Sequence, residues 1–183
     1  MENDILIQQL KGDEVIAYIR ANTVQEVKYP SGTEISRVVK PLRVYKVTES
    51  EFGYGRVIVS LKIPVGAVIY HDPEYILSLP SIGSRKMRAS KAVVVEQFEF
   101  MDDSLGFSTE VAVENGKAVT YVRIPQAEVK RGKIVETSLS QYDSNFEYHT
   151  GKTVRPTKAF NRIDVQCTTG IHFFVNLGDA LAY

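Results

Sequence analysis

This sequence lacks the usual materials of disulfide and metal chemistry. It has one cysteine, Cys167, three histidines and no tryptophan. One cysteine excludes an intramolecular disulfide framework and any all-cysteine metal site. An excess of charge is missing as well, since 22 Lys and Arg stand against 22 Asp and Glu. A protein that works by neutralising nucleic-acid phosphates carries a basic excess, so no nucleic-acid partner is expected. Long apolar runs are absent. Ala92-Val93-Val94-Val95 is typical of the longest, far below the roughly 20 residues that cross a bilayer, so no membrane partner is expected. The opening Met1-Glu2-Asn3-Asp4 has neither the basic start of a secretory signal nor the arginines of a transit peptide. The expectation is a protein made and kept in a cytoplasm, or assembled into something from there. Length and composition are those of one ordinary globular domain: 183 residues, 44% hydrophobic and 24% charged.

What is present points to sheet. Valine and isoleucine number 37, against 13 leucines and methionines. β-Branched side chains crowd a helix and suit a pleated, half-buried surface. Val57, Val59, Leu61 and Ile63 alternate with Ser60 and Lys62 at the period of a strand with one face in the core. Val15, Ala17 and Ile19 read the same way, as do Val93 and Val95 followed by Gln97 and Glu99. In Glu110 to Tyr121, Asn115-Gly116 suits the two positive φ angles of a type I′ turn, which pairs Glu114 with Lys117 and Val113 with Ala118. Tyr29-Pro30-Ser31-Gly32 predicts a second hairpin. Val57 to Pro64 echoes Ala118 to Pro125, and both read as edge-type strands ended by Ile-Pro.

Helices are few and short in this reading. One is expected over Asn3 to Lys11, stopped by Gly12. A second starts at Asp72-Pro73-Glu74 and ends by Pro80. A last turn at the C-terminus is capped by Asn176, with Asp179 three residues on, and Ala180 and Tyr183 share one face. The predicted class is α+β and β-rich: antiparallel sheets with several hairpins and two or three short helices, the last at the C-terminus. No linker or low-complexity tract divides residues 1–183, which are read as a single domain.

Catalytic signatures are sparse. His71, His149 and His172 lie in no metal-ligand spacing, and no phosphate-binding loop, dinucleotide fingerprint or nucleophile elbow is present. No metal and no cofactor are therefore expected, and no catalytic residue is assigned. Cys167 and His172 are separated by a Thr-Thr-Gly turn with no orienting group, which favours core or turn roles for both. The basic clusters Arg85-Lys86-Met87-Arg88 and Lys130-Arg131-Gly132-Lys133 read as solvated turns, although each has the charge to grip a phosphate. Ten tyrosines and eight phenylalanines exceed what core packing needs, and a tyrosine-rich surface suits protein contact.

The C-terminal third is more specific. Gln141-Tyr142-Asp143, Phe146, Tyr148, Gly151, Val154, Pro156 and Phe160 lead to Cys167-Thr-Thr-Gly170-Ile-His172-Phe-Phe174, then Ala180 and Tyr183. Ile171 to Val175 reads as a strand, with Ile171, Phe173 and Val175 on one side and a semi-buried, structural His172 with Phe174 on the other. This order resembles an uncharacterised domain of large DNA viruses, bacteriophages and bacterial proteins, often found with pentapeptide repeats and ending in a similar Cys-x-x-Gly-Ile-His-Phe-Phe stretch. Tyr45-Lys46, Ile58 to Pro64, and Lys86 to Val93 extend the likeness over residues 40–183. Residues 1–39 then form an N-terminal extension with a helix and a hairpin. Met87 stands where that family often has a cysteine, and the repeats are absent.

The resemblance implies a viral or phage setting, in the host cytoplasm or the virion, and no reaction. Two functions follow. One is a non-catalytic protein acting through protein–protein contacts or self-association, as a virion component or host-interaction module, in which the final residues lock the sheet. The alternative is a nucleotide- or NAD-binding protein or an ADP-ribosyltransferase-like enzyme. Gly170-Ile-His-Phe-Phe with Ala180 and Tyr183 resembles a segment lining the NAD site of ADP-ribosyltransferases, but a later strand with its glutamate is not expected after Tyr183. Tyr45, Arg88, His172 and Tyr183 are the candidate binding residues.

Overall fold

A computed structural model of the chain describes residues 4–5, 10–52, 55–78, 85–100, 108–114, 116–123, 129–130, 132–164 and 168–183. Along the described residues the elements are β1 (Asp4–Ile5), α1 (Gly12–Asn22), β2 (Thr23–Lys28), β3 (Glu34–Val38), β4 (Leu42–Ser50), β5 (Arg56–Ile63), β6 (Val68–His71) and α2 (Pro73–Ser78). They continue with β7 (Met87–Ala89), β8 (Ala92–Phe100), β9 (Ser108–Glu114), β10 (Lys117–Arg123), β11 (Val129–Lys130), β12 (Thr137–Leu139), β13 (Glu147–His149), β14 (Thr153–Val154), β15 (Ile171–Phe173) and α3 (Leu177–Ala182). The fold is β-rich and antiparallel with three helices among the described residues, the last at the C-terminus, as the composition predicts.

Two larger sheets share the main core. One has the strand order β13-β12-β4-β5-β8-β14 and the other β15-β7-β6-β3-β2. Leu42, Val44, Val57, Val59, Leu61 and Val94 from the first sheet meet Ile69, Met87, Ala89, Ile171 and Phe173 from the second, with Val15, Ile16 and Ile19 of α1. The opposite face of the first sheet is covered by the C-terminal segment. There Val47, Ile58, Phe98 and Phe100 pack against Phe174, Leu177, Ala180 and Leu181. The expected alternation at the C-terminus is present, because Ile171 and Phe173 face one core while Phe174 faces the other.

Both hairpins form, and the one at Asn115-Gly116 has the predicted register. Glu114 pairs with Lys117 and Val113 with Ala118, and Gly116 has φ 75°. Asn115 lies outside the described residues. At the second turn, Gly32 N–H donates to the Tyr29 carbonyl at 2.9 Å. The Asp72 helix start is also present, with the Tyr75 N–H bonded to Asp72 Oδ1 at 3.0 Å. Pro80 and Cys167 lie outside the described residues.

Five expectations are corrected. The helix expected at residues 3–11 is a strand where it is described, at Asp4–Ile5, and Gly12 opens a helix instead of stopping one. Val15 and Ile19 are buried together with Ile16 while Ala17 is exposed, so the period is helical and not two. β5 is central, between β4 and β8, and Pro64 follows its last residue without removing a ladder bond. In β8 a bulge at Val95 sets Ser60 opposite Glu96 but Leu61 opposite Val94. The extra residue switches faces, so Val94 joins one core and Phe98 and Phe100 the other. Finally, Arg85-Lys86-Met87-Arg88 is no solvated turn: Arg85, Met87 and Arg88 are all buried.

Candidate ligand-binding cleft

The C-terminal third builds a cleft of about 360 Å³ over the edge of the first sheet. One wall is the β12–β13 loop. The Ser140 N–H donates to the Phe146 carbonyl and the Phe146 N–H to the Asp143 carbonyl, both at 2.9 Å. This double turn presents Tyr142 and Asp143 at the rim and Phe146 inside, where the Phe146 ring meets Tyr148 edge-on at 5.2 Å. The facing wall is Pro156, Thr157 and Lys158 with Thr169 and Gly170. Lys46 of β4 and His172 of β15 close the floor.

Arg88 holds the facing wall in place. It is fully buried, with its guanidinium carbon 4.2 Å from the centre of the Tyr70 ring and 4.7 Å from that of Phe160. Its N–H groups donate to the carbonyls of Asn161, Ile163 (2.9 Å) and Thr169 (3.3 Å). Asp164 in the same loop accepts hydrogen bonds from Tyr70 Oη at 2.9 Å and from the hydroxyls of Ser31 and Thr33. Those bonds hold its carboxyl below the usual carboxylate range.

The four predicted binding residues gather around β15. Tyr45 and Phe174 exchange backbone hydrogen bonds of 2.7 and 2.9 Å. Arg88 sits directly opposite His172 in the β7–β15 ladder. The Tyr183 ring lies 5.4 Å from Phe174, and Lys86 Nζ donates to its hydroxyl at 3.0 Å. Only His172 of the four lines the cleft. It is half-buried, and its Nε2 is shielded from solvent.

Lys46 was not among the sequence candidates, yet it is the most perturbed cation of the cleft. Its Nζ donates to the His172 carbonyl at 3.1 Å and lies 5.9 Å from the centre of the Tyr148 ring. Burial, and then repulsion from Lys86, push its ammonium down to about 8. Burial also pushes the Tyr148 phenol up. The sequence does carry a signal for Lys46: it falls in phase with Leu42 and Val44, on the core face of β4. A charge in an apolar phase is out of place unless it has work to do.

A second polar cluster lies between α1, β3 and β6. Glu34 Oε1 accepts Arg20 Nη2 at 3.0 Å, and Glu34 Oε2 is 3.0 Å from His71 Nε2. Both Glu34 and His71 are buried. His71, and then Arg20, hold the Glu34 carboxyl down at about 2 against the upward push of burial. Among the described residues no three His, Cys, Asp or Glu side chains are grouped to hold a metal, and no helix is long and apolar enough to cross a membrane.

Comparison with known proteins adds one result. Residues 118–180 match a family of unknown function, DUF5758, and this segment contributes every cleft residue except Lys46. No curated protein and no solved structure matches the chain.

Proposed function

We propose that this is a non-catalytic viral or bacteriophage protein that acts through protein–protein contacts, as a virion component or a host-interaction module. One observation carries the contact reading. Tyr142, at the cleft rim, is 73% exposed and Tyr183 is 41% exposed, and their rings lie 6.1 Å apart. Tyrosines are enriched at the centres of protein interfaces, where a flat ring with a polar tip buries area at low entropic cost. The viral setting is supported by the resemblance of the Cys167 to Phe174 stretch. The packing of Phe173, Phe174, Leu177 and Leu181 into two cores supports an architectural role for the C-terminus.

The test combines location with mutation. Quantitative mass spectrometry of purified particles against the soluble host fraction should find the protein enriched with one partner or with itself. Tyr142→Ser combined with Tyr183→Ser should abolish that association and leave the circular dichroism spectrum unchanged. A protein that stays monomeric and partnerless in both fractions overturns the reading. A nucleotide- or NAD-binding protein is the second reading, favoured by the cleft that brings Lys46 beneath His172.

A further inference from the structure

Among the described residues Lys46 is held by neutral partners alone. Of the three donors on its ammonium, one goes to the His172 carbonyl, which leaves two for a guest. Among the described residues no carboxylate forms an ion pair with it. Its nearest charged influence is repulsive, from Lys86. Lys158 adds a second cation on the facing wall. Among the described residues Asp143 is the one acid lining the cleft, and its Oδ1 is tied to the Asn145 N–H at 3.0 Å within its own loop. A half-buried ammonium without a counter-charge is relieved by a bound anion, which stabilises the charged form and takes up the idle donors.

The walls define the rest of the guest. Phe146, Tyr142 and Pro156 offer flat apolar surfaces, and rings pack on such surfaces in offset or edge-on arrangements. A volume of about 360 Å³ lies near the lower end of ligand pockets, roughly 300–1,000 Å³. One ring system and one anionic group fill it.

We propose that the cleft binds a small anion bearing one flat ring system, an aromatic carboxylate or a nucleoside monophosphate, with the anionic group on Lys46 Nζ and the ring against Phe146 and Tyr142. The inference deepens the second reading, since it rests on the same cleft, and it requires no transfer chemistry.

Isothermal titration of the full chain with adenosine monophosphate, indole-3-acetate, adenosine and inorganic phosphate tests it. At least one of the first two should bind with a Kd below about 1 mM, and adenosine and phosphate alone about tenfold more weakly or worse. The tighter of the two anions identifies phosphate or carboxylate as the preferred group. Lys46→Met should weaken binding about tenfold or more, and Lys46→Arg should restore part of it. If Lys46→Met does not fold, Phe146→Leu serves instead, because it keeps the apolar bulk and removes the ring. Binding of indole-3-acetate without adenosine monophosphate supports the inference and removes the nucleotide reading. No saturable binding of either ring-bearing anion, or affinity unchanged in Lys46→Met, overturns it.

Discussion

Gly170 stands directly against Arg88: a Cβ on Gly170 would lie 2.9 Å from Arg88 Cβ, and Gly170 holds φ 154°. Both facts bear on the wall of the cleft, since Gly170 lines it and Arg88 supports it from behind. An alanine there meets an unfavourable backbone region and a neighbour with no space to retreat, because Arg88 is completely buried. Gly170→Ala should therefore lower stability by roughly 1–3 kcal/mol. Thermal unfolding checks it, and an unchanged midpoint contradicts this account of the glycine.

Arg88→Lys tests the guanidinium itself. A lysine keeps the charge but cannot reach three carbonyls in different directions or lie flat between two rings. The carbonyls of Asn161, Ile163 and Thr169 lose their donors, at a total cost of about 3 kcal/mol. The loss should be local before it is global. Hydrogen exchange should speed up at residues 157–164 and leave β4 and β5 protected.

The contrast between Arg88 and Val57 shows what a chain lets one read. Val57, Val59, Leu61 and Ile63 reveal their burial through local alternation, although Ile58 and Ser60 on the opposite face are buried too and the expected single core face is not what β5 has. Asn115-Gly116 fixes its hairpin within a dozen residues. Arg88 sits in a run of cations whose local appearance is that of a solvated turn. What buries it is a loop 73 to 81 residues away that offers carbonyls and a phenylalanine. No local pattern contains that information. The Val95 bulge is similar, because one extra residue exchanges the faces of β8 and no residue there announces it. α1 is hidden for a different reason: Val15, Ala17 and Ile19 satisfy a period of two, and only the burial of Ile16 separates the helix from a strand. Half of the cleft was legible, since Tyr142, Phe146, Tyr148 and Gly170-Ile171-His172 belong to the stretch that carries the resemblance. Its floor required Lys46, which comes from a strand about 100 residues earlier in the chain.

Asn176 gives a prediction about the N-terminal segment. It occupies the residue before α3, yet its side chain does not cap that helix. Its Oδ1 accepts the Leu10 N–H and its Nδ2 donates to the Leu10 carbonyl, both at 2.9 Å, and Nδ2 is also 3.1 Å from Asp179 Oδ2. The amide thus stitches the start of α1 to the C-terminal segment. Asn176→Ala should cost roughly 1–3 kcal/mol through the unpaired Leu10 groups. Asn176→Asp should be no better, because a carboxylate cannot donate to the Leu10 carbonyl. Chemical denaturation of the two variants checks this, and full stability of Asn176→Asp would show that the Leu10 carbonyl bond contributes little.

The Glu34 cluster sets the response to acid. In the folded chain the carboxyl is held at about 2, against an ordinary value of 4.5. A carboxyl depressed by folding contributes stability that is complete above its unfolded value and is lost as pH falls through the folded one. Unfolding midpoints should therefore fall steadily from about pH 4.5 toward pH 2. Glu34→Gln removes the charge that faces Arg20 and His71 but keeps a group of the same shape. That variant should be less stable than the parent at pH 7, and the gap should narrow as pH falls, because the parent is losing the same charge. Denaturation curves across that range decide the matter. A constant difference between variant and parent down to pH 2 would mean that the ionised carboxylate is not what joins α1 to the sheet.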